Sequence, residues 1–353
     1  MNTDSYAKNN GADNASPRIT FLSGGTGTPK LIRGFRRIIP DENISVIVNT
    51  AEDMWIYGSH LSPDIDTLMY LFAGILNTDT WWGIRDDTTI THDRMKELGE
   101  DLFLTLGDKD RAVNIIRARL LKSGITLTAA TEDLCRRLNV KADIMPMTDS
   151  TVTTNILTEN GLIHFQEYWV RYRGTVPIEK VVRTFREGIL EADSKGKDSN
   201  GTDLMGAADN PSLTVPADVS PRATAKAINA INTSDIVILG PSNPVTSISP
   251  ILECEGIKEA LKKKYVVAVS PFIGDAPISG PAKALMEAWG MPPTSKGTFE
   301  LYKDFTDLFV QDERDTETVD GALRCDTLMI NEGISVNLAR TIMEQIANTE
   351  RRQ

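Results

Sequence analysis

Four carboxylates, Glu52, Asp53, Asp64 and Asp66, fall within one short stretch, NTAEDMWIYGSHLSPDIDT (Asn49–Thr67). Carboxylates so close together can hold a magnesium ion against a diphosphate or take a proton from an attacking hydroxyl. Helix capping is the other use of such residues, and Ser62 or Asp64, just ahead of IDTLMYLF, suits it. Asp53 and Asp66 are left for chemistry. Upstream, SGGTGTPK (Ser23–Lys30) interleaves Gly24, Gly25 and Gly27 with Thr26 and Thr28 and closes on Lys30. Glycines let backbone N–H groups close on an anion, a following helix presents its positive end, and the threonines and lysine add donors. The alternative is a tight turn and nothing more. Downstream, GPSNPVTSI (Gly240–Ile248) offers Ser242, Asn243, Thr246 and Ser247 to a base, ribose or phosphate, unless Pro241 and Pro244 merely stiffen a connection. SPFIGDAPISGPA (Ser270–Ala282) is a third loop of the same kind.

The glycine loop departs from two familiar phosphate loops. A Walker loop requires GK[ST] after four spacer residues, which is absent here. A dinucleotide fingerprint counted from Gly25 and Gly27 finds Lys30 at its third glycine, and Asn49 and Thr50 where a nicotinamide enzyme offers a ribose-binding carboxylate. Trp55, Tyr57, Trp81 and Trp82 gather around the acidic segment, where they could stack on a planar heterocycle or fill the core. LGDKDRA (Leu106–Ala112) puts Asp108, Lys109, Asp110 and Arg111 at a helix entrance, as a solvated helix start would. His60, His92 and His164 lack metal-ligand spacing and are assigned no chemistry.

These residues must be positioned by the elements around them. RITFLS (18–23) and ISVIVNT (44–50) read as buried parallel strands, and LIRGFRRII between them as a helix with Pro29 in its first turn. Strand, glycine loop, helix and strand make a βαβ opening. Helical periods follow to residue 140, then two alternating segments about Asn160-Gly161 predict a hairpin. EADSKGKDSNGTDLMGAADNPSLTVPAD (191–218) has no period and reads as a mobile polar loop, after which the α/β rhythm resumes. The expected architecture is α/β and Rossmann-like: a mostly parallel sheet with helices on both faces, formed by 18–140 and 219–353. Residues 141–190 form an inserted α+β subdomain, and 1–17 a flexible tail.

Composition narrows the function classes. The chain has 353 residues, 41% of them hydrophobic, enough for a substantial core. With 38 basic and 49 acidic residues its formal charge is −11, so an anionic ligand must be held by local donors, and nucleic acid is excluded as a partner. Cys135, Cys254 and Cys325 are scattered and fit neither a disulfide framework nor a zinc site, which points to a reducing, cytoplasmic setting. No apolar run has the length of a membrane span, and the polar start lacks the apolar core of a secretory signal.

Taken in order, SGGTGTPKL, VNTAEDMWIYGSHLSPDIDT, WWGIRDDT, LGDKDRA, HFQEYWVRYR, ILGPSNPVTSI and VAVSPFIGDAPISGPA resemble the 2-phospho-L-lactate transferase family of deazaflavin coenzyme F(420) biosynthesis. The resemblance runs from Ile19 to the C-terminal region. It implies transfer of a 2-phospho-L-lactyl group from lactyl-2-diphospho-5′-guanosine to the ribityl hydroxyl of 7,8-didemethyl-8-hydroxy-5-deazariboflavin, with release of GMP and assistance from magnesium. It further implies a homodimer. By the same resemblance Gly24, Gly25, Thr26, Gly27, Lys30, Ser242 and Asn243 hold the donor, and Asp53 and Asp64 the metal. Asp66, Thr105, Trp55 and Trp82 face the acceptor, with Asp53 and Asp66 as the catalytic carboxylates. Thr105 stands where many relatives carry a basic or longer polar residue. Phe165, Trp169 and Arg173 in the hairpin region would cover the site. Asp53→Ala and Asp66→Ala are both expected to lose turnover and keep the fold. Two rivals are a nucleotide-sugar-binding regulator resembling the gluconeogenesis-factor family, which does not need the acidic acceptor face, and a nicotinamide dehydrogenase, ranked last because of Asn49 and Lys30.

Overall fold

In a computed structural model the described residues are 16–186, 220–274, 276–277 and 281–351. The expected polar loop 191–218 and residues 1–15 of the expected tail lie outside them. Strand β1 (Ile19–Ser23) turns through the glycine loop into α1 (Gly27–Phe35) and returns as β2 (Ile44–Val48). A small hairpin of β3 (Met54–Ile56) and β4 (Ser59–Leu61) leads into α2 (Pro63–Phe72), then α3 (Ile90–Glu97), α4 (Asp108–Lys122), α5 (Leu127–Arg137) and β5 (Asp143–Pro146). The chain next builds a separate antiparallel sheet from β6 (Thr151–Thr158), β7 (Gly161–His164) and β8 (Lys180–Arg186), with α6 (Phe165–Val170) between the last two. It re-enters through α7 (Ala225–Thr233), β9 (Ile236–Leu239), a π-helical turn (Pro244–Ile248), α8 (Ser249–Leu252), α9 (Ile257–Leu261) and β10 (Tyr265–Val269). The ribbon β11 (Phe272–Ile273) and β12 (Ala276–Pro277), α10 (Ala282–Ala288), α11 (Ser295–Tyr302), β13 (Leu308–Asp312), β14 (Leu323–Cys325) and α12 (Glu332–Glu350) complete it.

The main sheet has seven strands in the order β14-β13-β10-β9-β1-β2-β5, and every neighbouring pair is parallel. Its strands, the edge strand β14 excepted, are buried on both faces. Successive side chains of a strand point to opposite sides, so Phe21, Val46 and Ile238 pack with α1, α2 and α12, while Leu22, Ile47 and Leu239 pack with α7, α8 and α9. The fold is thus α/β, as the sequence predicts. From β1 the chain order runs one way to β2 and β5 and the other way through β9, β10, β13 and β14, so strand order reverses between β1 and β9. That crevice is where an open parallel sheet binds its ligands.

The core's first segment extends past residue 140: Asp143–Pro146 pairs in register with Ser45–Val48. The boundary drawn at 141 is therefore four to six residues early. Ile144, Met145 and Pro146 form an apolar run too short to show a period, and the change of character begins only with the strict alternation of β6. The hairpin about Asn160-Gly161 is present, with Thr158 paired to Gly161. A third core joins this subdomain to the main body, with Ile156, Phe165, Tyr168 and Val181 meeting Val245, Phe272, Leu285 and Met286. On the main body α12 lies on α1. Gly34 allows this approach, because a Cβ there would come within 2.0 Å of Ser335 O, and Arg33 donates to Ser335 Oγ at 3.1 Å.

Candidate active site at the strand-order reversal

The glycine loop after β1 and the loop after β9 interlock. A Cβ on Gly27 would lie 1.9 Å from Pro241 O, and one on Gly240 would lie 2.1 Å from Thr28 Oγ1. Ser242 Oγ accepts from Thr28 N at 3.3 Å, lies 2.7 Å from Thr28 Oγ1, and donates to Gly24 O. Gly27→Ala must push the two loops apart and is expected to cost about 1–3 kcal/mol of stability, measurable by urea unfolding. Asn243 Oδ1 is also committed, accepting from Val245 N at 2.9 Å and Thr246 N at 3.3 Å. Of the residues expected to hold a donor, Ser242 and Asn243 shape the loop with these atoms. The N–H groups of the half-buried residues Thr26 and Gly27, at the start of α1, meet no protein acceptor among the described residues. Lys30 turns its ammonium to the ring of Trp81, 5.4 Å from the centroid, which Arg33 also covers at 4.8 Å. Burial, and then the Arg33 charge, lower the Lys30 pKa.

The acidic segment meets this cradle directly. Gly25, at φ +56°, donates its N–H to Asp64 Oδ1 at 2.7 Å, and Asn49 Nδ2 donates to Asp64 Oδ2 at 2.9 Å. Asp64 is therefore a tie between the glycine loop and the end of β2 and not the expected helix cap, and Ser62 stands at the N-cap of α2 without a side-chain cap bond. Ser62 donates to Asp53 Oδ2, while Asp53 Oδ1 is buried without a partner. Glu52 Oε2 accepts from Gln166 Nε2 of α6 at 2.7 Å. Burial drives all three carboxyls upward. Glu52 stands well above the ordinary range through burial and the Asp64 and Asp53 charges, and Asp53 through burial that outweighs the Ser62 hydrogen bond and Arg117.

Burial raises Asp64 to about 6 against the opposing hydrogen bonds of Asn49 and Gly25. Since its ordinary value is 3.8, the folded chain keeps a proton that the unfolded chain loses. Stability should therefore fall as pH rises from 3.8 to about 6, and fall less steeply in Asp64→Asn. Denaturant midpoints across that interval check the slope.

Asp66 has a different setting. Both its oxygens accept from the buried Arg117, which also donates to His60 O at 3.2 Å and Asn114 Oδ1 at 3.0 Å. Its carboxylate is thus held in an ion pair, and the fold-neutral Asp66→Ala expected from sequence is not what this geometry supports. Burial, with the Arg117 charge, holds His60 down to about 3, and burial holds His164 at about 4, so both imidazoles are neutral near pH 7.

The expected acceptor residues separate. Trp82 is 51% exposed, whereas Trp55 packs edge-on to His60 at 5.0 Å and buries its Nε1 without a partner. Thr105 is exposed on a segment fastened to the acidic hairpin, where Tyr57 Oη accepts from Phe103 N at 2.7 Å and Leu104 N at 3.2 Å. Phe165 lies in the third core and Trp169 is 39% exposed beside Gly174. Arg173 has φ +52°. The third loop braces itself: Ser270 Oγ and Ser295 Oγ are 2.6 Å apart, Ser295 donates to Asp315, and Gly274 N donates to Asp315 Oδ1 at 2.8 Å.

Arg117, Gln166 and the structural role of Asn49 were not read from sequence. Asn114 and Arg117, three apart on the α4 face that buries Ala118 and Leu121, were the available signal for Arg117. Among the described residues no group of three or more His, Cys, Asp or Glu side chains forms a metal-binding set. Magnesium asks less of a protein, taking one or two carboxylates and completing its shell with substrate phosphates and water. The orphaned Asp53 Oδ1 beside Asp64 fits that requirement.

Residues 19–342 match the family model described as 2-phospho-L-lactate transferase CofD. The chain belongs to the 2-phospho-L-lactate transferase family. It is an enzyme, a transferase, which sets aside both rival readings. The 2-phospho-L-lactate transferase of Methanospirillum hungatei is 51% identical over 93% of this chain and 100% of its own length, and that of Methanocorpusculum labreanum is 51% identical over 91% and 96%. Among solved structures, a member of the upf0052 family from Bacillus halodurans superposes with a TM-score of 0.53 at 13% identity, covering 92% of this chain and 98% of that one, a likeness of fold alone. No described helix of the transferase is long and apolar enough to cross a membrane.

Proposed function

We propose that this chain moves a 2-phospho-L-lactyl group from lactyl-2-diphospho-5′-guanosine to the ribityl hydroxyl of 7,8-didemethyl-8-hydroxy-5-deazariboflavin, releasing GMP. The observation that carries the reading is the Gly25 N–H bonded to Asp64, which joins the glycine cradle to the acidic rim within one crevice. The N–H groups of Thr26 and Gly27, at the positive end of α1, receive the donor's diphosphate. The acceptor's hydroxyl oxygen bonds to the phosphorus that carries the lactyl group as the bridging P–O bond to GMP breaks. The Asp53 carboxylate takes the hydroxyl proton, and a carboxyl raised by burial is a stronger base for that purpose once ionised. Asp66 is left to its ion pair with Arg117, which fixes the floor of the acidic segment. Phosphoryl-type transfer depends on positioning and charge neutralisation, so no covalent nucleophile is required. Asp53 and Asp64 are the residues that would hold magnesium, which when bound would neutralise charge on the diphosphate. Trp82 and the Thr105 segment border the deazaflavin ring. A cytoplasmic homodimer belongs to the same reading.

Mass spectrometry of the product formed from the deazaflavin with phospholactyl, phosphoenolpyruvyl or 3-phosphoglyceryl guanylylated donors tests it. Conjugation of phospholactate in preference to the other two is the expected outcome. No conjugate from any of the three would overturn it.

A further inference from the structure

The π-helical turn Pro244–Ile248 leaves one carbonyl without a backbone donor. In an α-helical register Val245 O would accept from Ser249 N, but that N–H is given to Pro244 O. In the π register the donor would come from position 250, which is a proline and has none. Val245 is fully buried, so its carbonyl must find another partner or carry the cost of desolvation. Arg183, from β8 of the inserted subdomain, supplies it. One guanidinium nitrogen donates to Val245 O, another to Glu253 Oε1, and the guanidinium carbon lies 5.1 Å from the centroid of the Trp289 ring.

The same turn forms one wall of the cradle. Ser247 Cβ would lie 2.7 Å from a Cβ on Gly24, and Asn243 caps the turn through Val245 N. A change of register in the turn therefore displaces the surface against which the glycine loop is fitted.

We propose that Arg183 is a positioning residue for the nucleotide donor: by occupying Val245 O it holds the π register of Pro244–Ile248 and so sets the width of the cradle between Ser247 and Gly24. This deepens the donor-site reading above and rests on it. The inserted subdomain thereby shapes a pocket that Arg183 itself does not line.

GDP, used as the probe, is titrated calorimetrically into the full-length wild type and variants, and KM is measured for both substrates. Arg183→Met should weaken GDP binding and raise donor KM by about tenfold, the scale of one lost buried hydrogen bond, with acceptor KM unchanged. Arg183→Lys, which keeps the charge beside Glu253 without the forked reach, should show a smaller loss in the same direction. Glu253→Gln leaves the Val245 contact in place and should bind GDP as the wild type does. Adding Pro250→Ala to Arg183→Met returns an N–H to position 250 and should recover part of the affinity, which a general loss of stability would not allow. Wild-type GDP binding in both Arg183 variants, or an equal loss in Glu253→Gln, overturns the role of Arg183. A wild-type protein that leaves GDP unbound overturns instead the donor-site reading beneath it.

Discussion

Asp66→Ala should lower the free energy of unfolding by about 3–5 kcal/mol, because it strands the Arg117 guanidinium in the interior without its counter-charge. Arg117 is fully buried, and its Nε already lacks a partner, so little water can replace the missing carboxylate. The loss should be read as a shifted denaturant midpoint at unchanged slope. A second substitution separates the ion pair from the fold around it: Asp66→Ala with Arg117→Met removes both charges and should restore much of the stability. Restoration in the double variant identifies the stranded charge as the cause. A single variant as stable as the wild type would show that Asp66 is not needed to hold Arg117, and would reopen a direct part for it in turnover.

Asp53→Asn is expected to do the reverse, cutting kcat by about a thousandfold while the melting temperature stays within about 3 °C of the wild type or rises. The amide retains an acceptor for the Ser62 hydroxyl and cannot take a proton as the carboxylate does. Stability should be spared because Asp53 sits among like charges: Glu52 and Asp64 share its surroundings, and the buried cation nearest the group, Arg117, is bonded to Asp66. An acidic cluster of this kind destabilises the empty protein and is retained where a cation or a proton must be handled. Steady-state rates beside thermal melts decide the matter. Normal turnover in a folded Asp53→Asn would remove this carboxylate from proton transfer.

The architecture was legible because its signals were local. The β-branched runs of β1 and β2, the glycines between them, and the Asn160-Gly161 turn each specify their own geometry without reference to distant residues. The acidic segment was legible as chemistry for the same reason, since Glu52, Asp53, Asp64 and Asp66 are close in sequence. What divides those four is partner choice, and the partners arrive from afar: Arg117 from α4, Gln166 from the inserted subdomain, Asn49 from the end of β2. No periodicity reports which carboxylate a distant guanidinium will reach. Ser242 and Asn243 show the same gap in reverse, as polar residues of a ligand-type loop whose side-chain oxygens are spent on the glycine loop and on the loop itself. The early boundary at 141 arose because β5 is short and its neighbour in the sheet, β2, lies some hundred residues earlier in the chain.

The seat of α12 on α1 has a consequence for biosynthesis. The helix that opens at the glycine cradle presents Leu31 and Phe35 to a core whose further wall, Leu338, Ala339 and Ile342, is translated long after it. Until α12 has left the ribosome that flank of α1 stays wet. A nascent polypeptide released short of Ser335 should accordingly be a substrate for chaperones and proteases.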